Sequence, residues 1–126
     1  MSIEHMAMYV QDLEMARDFF EKYFHAVAGT KYRNPEKEFS SYFLTFEGGS
    51  RLEIMNKTNL APGLPGIRPG FAHIAFSVGS KENVDQLTKR FQEDGYEVSS
   101  GPRVTGDGYY ESTIVGLEGN LIEIVE

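Results

Sequence analysis

No cysteine occurs anywhere in the chain, which excludes disulfides, thiolate nucleophiles and thiolate metal ligands. Nor does any apolar run approach the ~20 residues that a membrane-spanning helix needs. The N-terminus, Met1-Ser2-Ile3-Glu4-His5, lacks the basic region and apolar stretch of a signal peptide, so a cytoplasmic location is expected. Positive charge is scarce and scattered: 12 Lys and Arg stand against 19 Asp and Glu, a net charge of -7, which argues against nucleic acid as a partner. A glycine-rich phosphate loop, a nucleophile elbow and a helical zinc motif are also missing. What is there is ordinary globular material, 40% hydrophobic and 25% charged over 126 residues, enough for one domain or for two small halves sharing a core.

The most informative stretch is Phe71-Ala72-His73-Ile74-Ala75-Phe76-Ser77-Val78. Read as a β-strand, it places Ala72, Ile74, Phe76 and Val78 on one apolar face and His73 on the other, with the small Ala75 and Ser77 beside it. The same arrangement stands near the N-terminus, where His5 precedes Ala7 by two residues in Ile3-Glu4-His5-Met6-Ala7-Met8-Tyr9-Val10.

Following that first strand, Asp12 is placed to cap a helix with Leu13, Ala16, Phe19, Phe20, Tyr23 and Phe24 at helical spacing, ending near Gly29. Strands are expected at Lys31 to Arg33, Phe39 to Phe46 and Arg51 to Met55, with turns at Asn34-Pro35-Glu36-Lys37 and Gly48-Gly49. Residues 57–70 hold Pro62, Pro65 and Pro69 among glycines and read as a connector. A second set then repeats the order. Strand Phe71 to Val78 precedes a helix capped by Ser80, with Val84, Leu87 and Phe91 buried and a close at Gly95. Strands Glu97 to Val104, Tyr109 to Val115 and Leu121 to Val125 follow, separated by turns at Gly106-Asp107-Gly108 and Glu118-Gly119-Asn120. Each half reads βαβββ, an α+β chain in which residues 1–56 and 71–126 are tandem modules of one domain.

The register of the repeat brings out four residues. His5 and His73 are 68 positions apart, and Glu53 and Glu123 are 70 apart, in the matching strings Leu52-Glu53-Ile54 and Ile122-Glu123-Ile124. Alone, each glutamate reads as the solvent side of an alternating strand, and each histidine as an ordinary surface or satisfied side chain. Their joint recurrence at one register favours function. If the halves pair symmetrically, two imidazoles and two carboxylates converge into a site suited to one divalent ion, Ni, Zn, Co, Mn or Fe. His25, at the end of the first helix, reads as a favourable partner of the helix dipole. Tyr9, Arg51, Arg103, Tyr109 and Tyr110 are candidates for lining a substrate cavity, although strand aromatics are usually core and arginines usually surface.

These motifs resemble the vicinal oxygen chelate superfamily, the glyoxalase, bleomycin-resistance and dioxygenase group. The resemblance lies in His5-Met-Ala-Met-Tyr-Val-Gln-Asp-Leu with Phe19-Phe20 behind it, in Leu52-Glu53-Ile54, in Ala72-His73-Ile74-Ala75-Phe76-Ser77-Val78 and in Glu118-Gly-Asn-Leu-Ile-Glu123-Ile. It implies paired βαβββ modules curved into a partial barrel around a metal, in a homodimer whose ligands come from one chain or from two. The full His, Glu, His, Glu set is most similar to glyoxalase I (lactoylglutathione lyase), which isomerises the hemithioacetal of methylglyoxal and glutathione. On that likeness His5, Glu53, His73 and Glu123 bind the metal, an enediolate is stabilised, and a glutamate, Glu123 before Glu53, moves the proton.

Two features depart from bacterial glyoxalase I. Tyr9 stands where those enzymes carry an arginine for the γ-glutamyl group, and the loop from Val104 to Tyr110 lacks their lysine-containing loop, which implies little or no lactoylglutathione from the glutathione adduct. Other members of the group are alternatives: an extradiol dioxygenase, a fosfomycin transferase, an epimerase, or a metal-free antibiotic-binding protein of the bleomycin-resistance type. The first two generally use three protein ligands, the epimerase needs a basic mouth for coenzyme A, and the binding protein generally lacks the ligand set.

Overall fold

Asp12 and Ser80 start the two helices. Each side chain accepts a hydrogen bond from the amide three residues on, Met15 and Asn83 respectively, and so satisfies a donor that the first turn leaves without an intrahelical partner. In the computed structural model, which describes residues 2–61, 63 and 69–126, the caps lead into α1 (Leu13–Phe24) and α2 (Lys81–Glu93). The strands are β1 (Met6–Tyr9), β2 (Val27–Ala28), β3 (Tyr32–Asn34), β4 (Phe39–Thr45), β5 (Arg51–Lys57), β6 (His73–Ser77), β7 (Glu97–Val104), β8 (Tyr110–Val115) and β9 (Leu121–Val125). Among the described residues no helix is long and apolar enough to cross a membrane.

The chain divides into two compact units, Met1–Leu64 and Pro65–Glu126. In the first, the sheet runs β1-β5-β4-β2 with β3 added beside β4, and β1 is parallel to β5. In the second it runs β6-β9-β8-β7, and β6 is parallel to β9. The fold is α+β: the described residues form two α-helices, two short 3-10 turns and two sheets, neither of them closed into a barrel.

Alternation along the strands decides what each sheet offers. In the first unit α1 packs on β4 and β5, and the buried set includes Ala16, Phe19, Phe20 and Tyr23 with Tyr42, Leu44, Leu52 and Ile54. In the second, α2 packs on β7, β8 and β9, burying Val84 and Phe91 with Ile114, Ile122 and Ile124. The residues between these apolar positions, Phe43 and Glu53 in one unit and Thr113 and Glu123 in the other, point away from the helix. Glycine serves β7 at one point of close approach: Gly101 has φ +79°, and a Cβ there would lie 2.5 Å from the Glu111 carbonyl oxygen. The register between β7 and β8 shifts on both sides of Ser100, and the adjacent Pro102 is tolerated because β7 is an edge strand.

Beyond shifts of a residue or two at element ends, the structure differs from the sequence reading chiefly in three places. First, α1 stops at Phe24 rather than near Gly29, because His25 adopts the left-handed conformation (φ 53°, ψ 32°) and its amide donates to the Phe20 carbonyl. Second, β2 pairs with β4 where no strand was expected; at two residues it is too short to show a period. Third, α2 buries Thr88 while Leu87 is half-buried. The connector expected over residues 57–70 begins as the last residue of β5 and a turn at Thr58-Asn59, and its part at Pro62 and residues 64–68 lies outside the described residues.

Thr88 is tolerated in the core because its hydroxyl is fully used. It donates to the Val84 carbonyl at 2.6 Å and shares a hydrogen bond with the Ser112 hydroxyl at 2.6 Å. Thr88→Val keeps the shape but leaves the Ser112 hydroxyl buried without that partner, so a loss of about 1–3 kcal/mol is expected. Urea unfolding measures it, and adding Ser112→Ala to the valine variant should recover part of the loss; an unchanged midpoint in Thr88→Val would mean the pair does not stabilise the core.

Candidate functional site

Parallel pairing of the outer strands sets the same geometry in both units. In the first, Ala7 on β1 is the register partner of Glu53 on β5, and His5 precedes that alanine by two residues, so it sits on the face of the sheet that Glu53 occupies. His5 Nε2 lies 3.9 Å from Glu53 Oε2. In the second, Ala75 on β6 is the partner of Glu123 on β9, and His73 precedes it by two. Here Nε2 and Oε2 are 3.1 Å apart. Both carboxylates are largely shielded, at 17% and 20% side-chain exposure, while the imidazoles stay open at 36% and 40%.

The surroundings of the two pairs are unlike. His5 Nδ1 is hydrogen-bonded to Oε2 of Glu4, whose Oε1 accepts from Arg51. The Arg51 guanidinium lies 4.2 Å from the centre of the Phe43 ring, and the His5 ring packs edge-on against the same Phe43 at 5.1 Å. The hydrogen bond from His5, more than the charge of Arg51, holds the Glu4 carboxyl below its ordinary pKa, against a smaller opposing effect of burial. Glu4 and Phe43 are absent from the sequence reading. The signal that could have found Glu4 is the change of character just before the repeated histidine, where the second half carries the uncharged Ala72.

The remaining candidates are dispersed. Tyr9 continues the His5 face as the partner of Met55 and is half exposed. Arg51 is committed to Glu4 and Phe43 rather than free for a substrate. Arg103 stands opposite Glu111 in register, donates through Nε to the Ser100 hydroxyl at 2.9 Å, and has no carboxylate partner among the described residues. Tyr109 is exposed in the turn before β8, its amide bonded to the Thr105 hydroxyl at 3.0 Å. Tyr110 lies on the helix side of its sheet: its hydroxyl donates to Asp85 of α2 at 2.7 Å, and that hydrogen bond, with burial second, pushes its pKa up. It therefore points away from the face that carries Glu123. His25 is spent at the C-terminus of α1.

Among the described residues no group of three or more His, Cys, Asp or Glu side chains is gathered at ligating distance; the donors occur as two His–Glu pairs. Each pair offers an imidazole nitrogen and a carboxylate oxygen, a donor chemistry that suits divalent first-row ions. The Glu4 carboxylate on the far nitrogen of His5 is one of the contacts, with backbone carbonyls and water, that metal-ligating histidines make through their second nitrogen. By the chemistry of the donors, the residues present fit a divalent ion.

The model of the glyoxalase/bleomycin resistance protein/dioxygenase superfamily matches residues 2–124. YqjT of Bacillus subtilis, an uncharacterized protein, is 30% identical over 113 residues, which is 86% of this chain and 85% of that protein. Among solved structures, a possible glyoxalase from Bacillus cereus is similar at TM-score 0.73 and 26% identity, covering 100% of this chain and 99% of its own. The genomically encoded fosfomycin resistance protein FosX of Listeria monocytogenes, complexed with Mn(II) and sulfate, is similar at TM-score 0.73 and 20% identity, covering 98% and 90%. With the two-sheet α+β fold in place and a family model spanning all but the chain ends, this chain belongs to the glyoxalase/bleomycin resistance protein/dioxygenase superfamily.

Proposed function

We infer that this chain is a divalent-metal-dependent lyase or isomerase of the glyoxalase I type, in which His5, Glu53, His73 and Glu123 hold one ion. The reading treats residues 1–126 as one functional domain of two repeats, acting in the cytoplasm as a C2 homodimer on a small molecule with oxygens on adjacent carbons. The observation that carries it is the double construction: each unit sets a histidine two residues ahead of the alanine that partners a glutamate. Solvent-facing side chains do not require the same residue types at equivalent positions of both units, although a duplication alone could preserve them. FosX, solved with Mn(II), lends support from within the superfamily.

When bound, the ion supplies Lewis acidity toward the substrate oxygens. The chain supplies the proton chemistry. Glu123, shielded and 3.1 Å from His73, is the proposed base that removes the C–H proton from the carbon bearing hydroxyl and sulfur in a methylglyoxal–thiol hemithioacetal. It returns the proton to the former carbonyl carbon, while the hydroxyl proton passes to the former carbonyl oxygen; the product is a thioester of a 2-hydroxy acid, and no oxidant is consumed. Glu53 is the second carboxylate available for proton transfer. Tyr9 brings no cation to its face, and Arg103 is the proposed contact for a negatively charged part of the substrate. The glutathione adduct is therefore expected to be turned over poorly.

The test is metal content by mass spectrometry of digested protein, expressed without added metal, beside a His73→Ala/Glu123→Ala variant. About one Ni, Co, Mn, Fe or Zn ion per chain, lost in the variant, is expected. No metal even after reconstitution would overturn the enzyme reading and leave a binding module, whose acidic charge would suit a cationic ligand.

A further inference from the structure

The repeat that matches His5 to His73 and Glu53 to Glu123 fails at three positions whose side chains meet the first histidine or one another. Glu4 corresponds to Ala72, Arg51 to Leu121, and Phe43, the partner of Glu53, to Thr113, the partner of Glu123. In the first unit these three residues form a closed circuit with His5. Phe43 touches the His5 ring at 5.1 Å and the Arg51 guanidinium at 4.2 Å, and Glu4 joins the same two residues from the other side, one carboxylate oxygen to each. Among the described residues nothing equivalent surrounds His73.

The geometry points to Glu4 as a positioning residue that holds His5 in its Nδ1–H form, with the Nε2 lone pair turned toward Glu53. A neutral imidazole has one nitrogen that donates and one that accepts. A carboxylate can only accept, so its contact with Nδ1 requires the proton there and leaves Nε2 as the electron-pair donor. Arg51 and Phe43 keep Glu4 in place: the guanidinium binds one carboxylate oxygen while resting on the ring face, where a cation is attracted by the aromatic quadrupole. Arg51, a substrate-binding candidate by sequence, thus acts through Glu4. The hydrogen bond stands without any metal; its consequence for affinity rests on the metal reading above.

Nitrogen NMR of protein labelled at histidine, recorded over a range of pH, reads the tautomer directly. In the wild type His5 is expected as the Nδ1–H form. Glu4→Ala should move it toward the mixture of both forms adopted by an unconstrained histidine side chain, and Glu4→Gln, whose amide oxygen still accepts, should restore it. His73 and His25 should not move in any variant, which reports that the fold is intact. A His5 tautomer unchanged in Glu4→Ala would overturn the proposal. Chelator competition on the same proteins should show metal bound about 10–100-fold more weakly in Glu4→Ala than in wild type. A tautomer shift in protein that takes no metal would support the positioning role while refuting the metal reading, so the two failures are distinct.

Discussion

Glu123→Gln should lower turnover of methylglyoxal hemithioacetals by roughly 10²–10⁴-fold, the range for removal of a positioned general base. The substitution keeps the size and one oxygen of the side chain but cannot take a proton. Its site on β9 is flanked by Ile122 and Ile124, both buried against the helix side, so the backbone that carries position 123 is held by the core and the fold should be unchanged. The assay follows thioester formation with adducts of several thiols, and metal content is measured on the same samples. Retained metal with lost rate assigns the loss to proton transfer, whereas metal and rate falling together assign Glu123 mainly to holding the ion. A rate equal to wild type on every adduct would sink the role given to Glu123.

The second large effect concerns the support beneath the site. Phe91 is fully buried at 0% exposure and meets Tyr96 edge-to-face at 5.4 Å, and its helix packs against β7, β8 and β9. Phe91→Ala removes a whole ring from this layer and leaves a cavity that a close-packed interior fills only in part, at a cost of about 3–5 kcal/mol. A typical domain has only about 5–15 kcal/mol of net stability, so much of it would be lost. Chemical denaturation should show the fall, with Phe71→Ala as the control: Phe71 is 91% exposed, and its truncation should shift stability by no more than about 0.5 kcal/mol. Equal losses in the two variants would mean that the α2 layer is not what holds the second sheet.

Much of this molecule can be read from periodicity. A strand alternates every two residues, so the placing of His5, His73, Glu53 and Glu123 opposite the aliphatic positions follows from sequence, and both His–Glu pairs lie where that alternation puts them. The helix starts are equally local, because an Asp or Ser cap satisfies amides within three residues of itself. Residues matched across the 68- and 70-residue spacings carry the same information twice, and so the order of elements in each half is legible apart from the two-residue β2.

Tertiary structure alone decided the contacts between side chains that are distant in sequence and obey no period. The hydroxyl of Thr88 is acceptable in the core only because Ser112, 24 residues away, faces it. Tyr110 is drawn to the helix side by Asp85. Arg51 reads as a substrate contact until Glu4 and Phe43, at sequence separations of 47 and 8, are seen to occupy it. Periodicity determines which face a side chain joins, whereas its partner on that face depends on which strands lie adjacent and in what register, and that is settled only when the sheets are assembled.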